Sequence, residues 1–122
     1  LRKKFQDENG RPTLLTLWIS LTDATPLNSC IYMLPTHLDP LFPNNLDDPI
    51  SFPYENVRAL PAPAGTILCW DVNAVHWGSR STKHAEQPRI SFAFYLQRGD
   101  MEPYYSPLIS TKESMSIKSP VF

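Results

Sequence analysis

Two side chains of this sequence, His76 and Arg89, are of types that metal and carboxylate chemistry uses. A neutral imidazole is a common ligand for divalent metal ions, and a guanidinium holds a carboxylate through two parallel hydrogen bonds. His76 starts a predicted loop, and Arg89 begins the next predicted strand. A hairpin connection would return Arg89 beside the strand that carries His76. The pair alone is a weak signal, because a histidine near a strand end is more often a surface residue.

The elements that must position these residues are predicted β-strands over 14–21, 30–34, 67–72 and 89–97. In the first strand, apolar residues alternate with polar and aromatic ones, and the last strand repeats the pattern. In the first strand, one face carries Leu15, Leu17, Ile19 and Leu21, and the other carries Thr16, Trp18 and Ser20. In the last strand, one face carries Ile90, Phe92, Phe94 and Leu96, and the other carries Arg89, Ser91, Ala93, Tyr95 and Gln97. Such alternation indicates barrel strands whose polar-aromatic inner face lines a site.

Composition supports one all-β domain. The chain has 122 residues, 42% of them apolar, with 13 prolines and only 4 glycines. So many prolines disfavour long helices and suit a fold with many strand ends. A net charge of -1 without a basic stripe argues against nucleic-acid partners. The charged residues 1–5 are not followed by an apolar region, and no run has membrane-spanning length, so we expect a soluble, cytoplasmic protein.

The remaining segments are predicted to be irregular. Residues 36–64 contain six prolines and no clear period, which favours a surface loop or lid. Residues 101–122 form a tail rich in serine and proline. Cys30 and Cys69 each lie in an apolar, strand-like run, so buried free thiols are expected, with a disulfide as the alternative.

Four segments, in order, resemble the phytanoyl-CoA dioxygenase family. They run from about residue 14 to residue 97, most of the chain. The segments are Trp18 through Asp23-Ala24 to Asn28-Ser29-Cys30; Leu34-Pro35-Thr36-His37; Pro63-Ala64-Gly65-Thr66; and His76-Trp77-Gly78-Ser79 through Arg89-Ile90-Ser91. The family pattern has glycine where this chain has Ser29, and Trp77 is inserted after His76. These departures affect turn geometry but remove no ligand.

The resemblance implies a double-stranded β-helix, a cupin-like jelly roll, of which this chain is an incomplete, C-terminal part. It implies Fe(II) and 2-oxoglutarate as cofactors, dioxygen as co-reactant and a small-molecule substrate. His76 matches the distal iron ligand, and Arg89 matches the arginine that pairs with 2-oxoglutarate. Ser91 or Ser79 is its hydroxyl partner, and Trp18 lines the co-substrate pocket. No catalytic residue is expected beyond the metal ligands; the substrate and the oligomeric state stay open.

His37-Leu38-Asp39 has the His-x-Asp form of the other two iron ligands. However, His37 aligns with a family histidine that does not bind metal, and the family's His-x-Asp lies before the Trp-containing strand. His37 and Asp39 are therefore only alternative ligands. The chain is expected to lack the first two ligands and, since facial-triad affinity needs three convergent groups, to be inactive in isolation.

Three rival interpretations remain. The chain could belong to a non-catalytic jelly-roll binding module that has lost its metal. It could belong to another metal enzyme of the same fold, such as a cupin, which would not need Arg89. It could also be a purely structural domain.

Overall fold

The computed structural model of the protein describes residues 5–43 and 53–104. Within these ranges the regular elements are six β-strands and short 3-10 turns, including Thr36–Leu38 and Tyr54–Asn56. The strands are β1 (Leu14–Ser20), β2 (Ile31–Met33), β3 (Arg58–Leu60), β4 (Ile67–Asp71), β5 (His76–Gly78) and β6 (Ser91–Gln97). The predicted all-β class is confirmed. None of the described helical turns is long and apolar enough to cross a membrane.

The first sheet has the antiparallel order β4-β1-β6. Its register places Trp18 of β1 between Leu68 of β4 and Ala93 of β6, and Thr16 between Trp70 and Tyr95. Residues directly opposite each other on antiparallel strands share a face of the sheet. The alternation along β1 therefore extends over all three strands.

The second sheet has the antiparallel order β3-β2-β5. Its strands have three residues each, and β2 pairs Met33 with Arg58 of β3 and with His76 of β5. Strand β3 lies inside the 36–64 segment, so the prediction of an uninterrupted loop or lid there is wrong for 58–60. Three residues are too few to show a strand period. The part of that segment over 44–52 lies outside the described residues.

A shared core joins the two sheets. Trp18 and Trp70 of the first sheet cluster with Ile31 of the second. The cluster also contains Ala62, which forms a bridge with Ala24 through two backbone hydrogen bonds of 2.8 and 2.9 Å. The polar-aromatic face of β1 is thus the inner face, as its alternation predicted.

The opposite side of the first sheet, called the outer face below, is apolar and largely exposed. It consists of Leu15, Leu17 and Ile19 on β1, Ile67 and Cys69 on β4, and Phe92, Phe94 and Leu96 on β6, extended at one end by Leu21 and Ile90. Cys69 is exposed, contrary to the prediction of two buried thiols, because it lies on this face. Cys30 is buried, and both thiols are free.

The beginning of the tail packs against the start of the chain. The Tyr104 ring lies edge-on to Phe5, with centroids 5.0 Å apart, and its hydroxyl lies 3.1 Å from the Thr13 hydroxyl. Gln97 donates hydrogen bonds to the carbonyls of Met101 and Glu102. These contacts connect residues 101–104 to the end of β6. The predicted tail beyond Tyr104 lies outside the described residues.

Candidate functional site

A cavity of about 470 Å³ lies between the two sheets. The first sheet contributes its inner face, and the second contributes β5 and part of β2. Its walls combine aromatic rings with two groups that could bind a ligand, His76 and Arg89. The lining residues include Thr16, Trp18, Ile31, Trp70, His76, Trp77, Gly78, Arg89, Ser91, Ala93 and Tyr95.

His76 is the first residue of β5, not the start of a loop as predicted. Its Nδ1 lies 2.8 Å from the carbonyl oxygen of Ala74. A carbonyl can only accept, so Nδ1 carries the proton and donates it, which leaves the lone pair on Nε2. The imidazole also lies edge-on to the Trp70 ring, with centroids 4.8 Å apart. His76 is exposed and lines the cavity. A histidine held in this tautomer is ready to bind a metal ion through Nε2.

Arg89 precedes β6 by two residues, whereas the sequence predicted it as the first residue of that strand. Its guanidinium carbon lies 5.7 Å from the centroid of the Trp18 ring. Its Nη1 donates a long hydrogen bond of 3.4 Å to the Ser91 hydroxyl, and its Nε is buried without an acceptor. Among the described residues no carboxylate pairs with Arg89. A partly buried guanidinium with unused donors is suited to an anionic ligand.

His76 and Arg89 line the same cavity for a reason other than the one predicted. Strand β5 pairs with β2, and β6 pairs with β1, so no hairpin joins β5 to β6. The chain instead crosses from the second sheet to the first between these strands. The two side chains meet across the space between the sheets. The prediction of a hairpin is therefore wrong, although the shared cavity is present.

Gly78 permits a close approach of backbone and guanidinium at this site. A Cβ atom there would lie 3.2 Å from the Ser29 hydroxyl and 3.7 Å from Nη2 of Arg89. Ser29 has a φ of 78°, the conformation that favours the glycine of the family pattern. Its hydroxyl donates a short hydrogen bond to the carbonyl of Ser79.

Three of the four residues predicted to hold the co-substrate meet at this cavity. Trp18, Arg89 and Ser91 line it together. Ser79 directly follows β5, and its own hydroxyl is buried with no partner among the described residues. Ser91 is thus the hydroxyl that accepts a hydrogen bond from the guanidinium, and Ser79 supplies an unused donor next to Gly78.

His37 and Asp39 do not join His76. His37 lies in the 3-10 turn Thr36–Leu38 and lines a second cavity of about 490 Å³, which Trp70 also lines. Asp39 is buried, and its carboxylate accepts a hydrogen bond of 2.9 Å from the backbone of Leu41. Within residues 5–43 and 53–104, no group of three His, Cys, Asp or Glu side chains could hold a metal ion. Asp39 thus has a local role in its turn.

Trp70 and Trp77 also line the site, although the sequence motifs assign neither residue to it. Trp70 holds the His76 ring from one side, and Trp77 stacks on Tyr32, with centroids 6.1 Å apart and planes inclined by 16°. Trp70 lies two residues after Leu68 on β4 and therefore shares its inward face. This two-residue spacing is visible in the sequence and could have assigned Trp70 to the site. Strand β5 is too short for any comparable pattern.

Geometry and fold define an all-β protein with a cavity between two antiparallel sheets. No protein-family model matches this chain, and no curated protein sequence matches it significantly.

Proposed function

We propose that this chain is the C-terminal part of an Fe(II)- and 2-oxoglutarate-dependent oxygenase of the phytanoyl-CoA dioxygenase type, which hydroxylates a small molecule. One observation carries the proposal. His76, with Nε2 available, and Arg89, without a carboxylate partner among the described residues, line a single cavity. A metal ligand and a carboxylate-binding group facing one space are what a metal-bound 2-oxo acid requires.

The strand order supports the jelly-roll part of this proposal. In an eight-stranded jelly roll, the first strand pairs with the last and the second strand with the last but one, in two facing sheets. The orders β4-β1-β6 and β3-β2-β5 are those expected for its third to eighth strands. The places of the first and second strands correspond to the open edges of β6 and β5. We infer that two further strands occupy these edges in the whole protein.

The residues around Arg89 fit a carboxylate of 2-oxoglutarate. Nε is a buried donor without an acceptor, and the Nη1 bond to Ser91 is long at 3.4 Å. A carboxylate can accept two parallel hydrogen bonds from a guanidinium fork. The Trp18 ring below the guanidinium holds the planar group in place. Arg89 and Ser91 would therefore bind and orient the far carboxylate of the co-substrate.

The described residues fit Fe(II) only in part. His76 supplies one ligand, and no other His, Cys, Asp or Glu completes a group of three. A strand added at the open edge of β5 would lie directly beside His76. Two residues spaced i and i+2 on that strand point to the same face, so a His-x-Asp there would converge with the imidazole. We place the missing ligands on such a strand.

The chain's own residues have defined roles under this proposal. Together with 2-oxoglutarate, the iron would activate dioxygen for insertion of oxygen into a C–H bond. Ala74 fixes the tautomer of His76 through its carbonyl, and Trp70 restrains the ring. Trp18, Trp70 and Trp77 would form the aromatic walls beside the reacting groups.

The second candidate is a non-catalytic jelly-roll module that binds a carboxylate. The buried, unpaired Nε of Arg89 beside the aromatic walls supports it without any metal ligand. It needs Arg89 and the aromatic walls but not the Nε2 of His76. The two candidates therefore differ in whether a divalent metal binds beside the anion.

An NMR titration of the full chain tests carboxylate binding. Adding 2-oxoglutarate should shift the Nε–H resonance of Arg89 and the indole resonance of Trp18. Arg89→Ala should abolish the shift of the Trp18 indole resonance. The matched control Arg80→Ala, at an exposed arginine nearby in sequence, should keep that shift. If Arg89→Ala binds as well as the wild type, both candidates are overturned.

Paramagnetic Mn²⁺ separates the candidates, because it replaces Fe(II) at such sites and broadens nearby resonances even when it binds weakly. In the oxygenase, Mn²⁺ added together with 2-oxoglutarate, whose oxygens supply two further ligands, should broaden the signals of His76 and Trp70, and His76→Ala should remove that effect. In the binding module, Mn²⁺ should leave these signals unchanged while 2-oxoglutarate still binds.

A further inference from the structure

We propose that the outer face of the first sheet is a self-association surface on which a second copy of this chain docks, sheet against sheet. The proposal concerns the side of β1 opposite the cavity and requires neither His76 nor Arg89. It rests on the composition, the area and the charge of that face.

The outer face is apolar across three strands in register. Leu17, at its centre, lies between Cys69 and Phe94, and Ile19 lies between Ile67 and Phe92. Apolar residues repeat at alternate positions on each strand, which is the pattern of a sheet side that packs against another layer. A sheet side of this kind is normally covered in a stable fold.

The exposed area approaches what each partner buries in a dimer. Six side chains of the outer face each expose between 43% and 61% of their surface: Leu21, Ile67, Ile90, Phe92, Phe94 and Leu96. With roughly 200 Å² for each complete side chain, these six alone present about 600 Å². Leu15, Leu17 and Ile19 are half-buried and add to it. A specific dimer buries about 800 Å² per partner, and a monomer rarely exposes an apolar patch above about 600 Å².

Charge does not oppose the docking of two identical faces. The outward positions of the three strands hold one carboxylate, that of Asp71, at a corner beside Leu15. Its oxygen accepts hydrogen bonds of 2.8 and 3.0 Å from the backbone and side chain of Asn73, which tie it to the turn after β4. The whole chain has a net charge of -1, so two copies repel each other weakly. Two such sheets can pack face to face at about 10 Å, with Leu17 near the twofold axis.

The molecular mass in solution is the first test. Sedimentation of the full chain should show the mass rising from 13.9 kDa towards twice that value as the concentration increases from micromolar to millimolar. Phe92→Glu should keep the chain monomeric over this range, because a paired face would bury its charge. Ile67→Lys, at the other edge of the face, should do the same. Both side chains are exposed, so the fold tolerates the changes.

Leu27→Glu is the matched control. It also places a carboxylate at an exposed leucine, 48% accessible, but in a turn away from the outer face. This variant should dimerise like the wild type. A dimer that survives Phe92→Glu, or one that Leu27→Glu disrupts equally, overturns the proposal.

The reactivity of Cys69 gives an independent readout on the outer face itself. Cys30 is buried, and burial raises the pKa of its thiol, so a thiol reagent reports on Cys69. The modification rate of Cys69 should fall several-fold with increasing wild-type concentration and stay constant in Phe92→Glu. A monomer with a constantly reactive Cys69 overturns the proposal. A monomer whose Cys69 is protected at every concentration also overturns it and assigns the face to another part of the same chain.

Discussion

The guanidinium of Arg89 lies over the Trp18 ring, 5.7 Å from its centroid, although the two residues are far apart in the sequence. Trp18 is buried on β1, and Arg89 precedes β6, the strand paired with β1. The ring attracts the cation with its π face and leaves the guanidinium edge free to donate. This geometry holds the anion-binding group without neutralising it.

Replacing Trp18 with Phe should weaken carboxylate binding. Phenylalanine attracts a cation less than tryptophan does, and the loss of about 0.5–1 kcal/mol corresponds to a 2- to 5-fold higher Kd for 2-oxoglutarate. NMR titration measures this Kd. Trp77→Phe is the control, because Trp77 lines the same cavity but stacks on Tyr32; equal effects of both variants would contradict a role of the Arg89 contact.

Gly78→Ala should reduce carboxylate binding and destabilise the protein by roughly 1–2 kcal/mol, because the new methyl group crowds a closely packed corner. The added carbon would lie 3.2 Å from the Ser29 hydroxyl and 3.7 Å from Nη2 of Arg89, so it would crowd both groups. Gly99→Ala is the matched control, since a Cβ there meets nothing within 4 Å. Chemical denaturation measures stability, and a neutral Gly78→Ala would show that this corner is not tightly packed.

Two substitutions of Ser29 should separate backbone strain from its hydrogen bond. Ser29→Gly removes the strain of φ 78° but loses the bond to the Ser79 carbonyl, so the free energy of unfolding should change by less than about 1 kcal/mol. Ser29→Val loses the bond and puts a β-branched residue in the same conformation. It should destabilise the protein by about 2–3 kcal/mol. Equal stabilities of the two variants in denaturant titrations would contradict this.

Stability should fall at acid pH partly through a surface cluster formed by Asp7, Arg98 and Asp100. Backbone hydrogen bonds from Arg11 and Asn9 and the guanidinium of Arg98, 2.8 Å away, lower the pKa of Asp7 from its ordinary 3.8. A hydrogen bond from Arg98 likewise lowers the pKa of Asp100.

Since the folded-state pKa values are depressed, the contribution of this cluster is complete above pH 3.8 and is lost as pH falls through the folded-state values. Melting temperatures from pH 6 to pH 2 measure it. The double variant Asp7→Asn and Asp100→Asn should lose less stability on acidification than the wild type. The same acid loss in both proteins would exclude the cluster as a cause.

Period-two alternation was enough to predict the long strands. It identified β1 and β6 nearly to their ends and placed Trp18 and Ser91 on the inner face. The short strands β3 and β5 have three residues each and carry no such pattern, so 58–60 was predicted as loop and His76 as a loop start. Their conformation comes from pairing with β2, which is distant in sequence.

The sequence by itself determined the all-β class, the inward face of the long strands and the identity of the two groups that could bind a metal and a carboxylate. Only the tertiary structure decided that His76 and Arg89 line one cavity, because they belong to different sheets and meet through packing. It also decided that the apolar outer face of the first sheet is left largely exposed among the described residues. Alternation separates the two faces of a strand, but how far each face is buried depends on the layer that covers it.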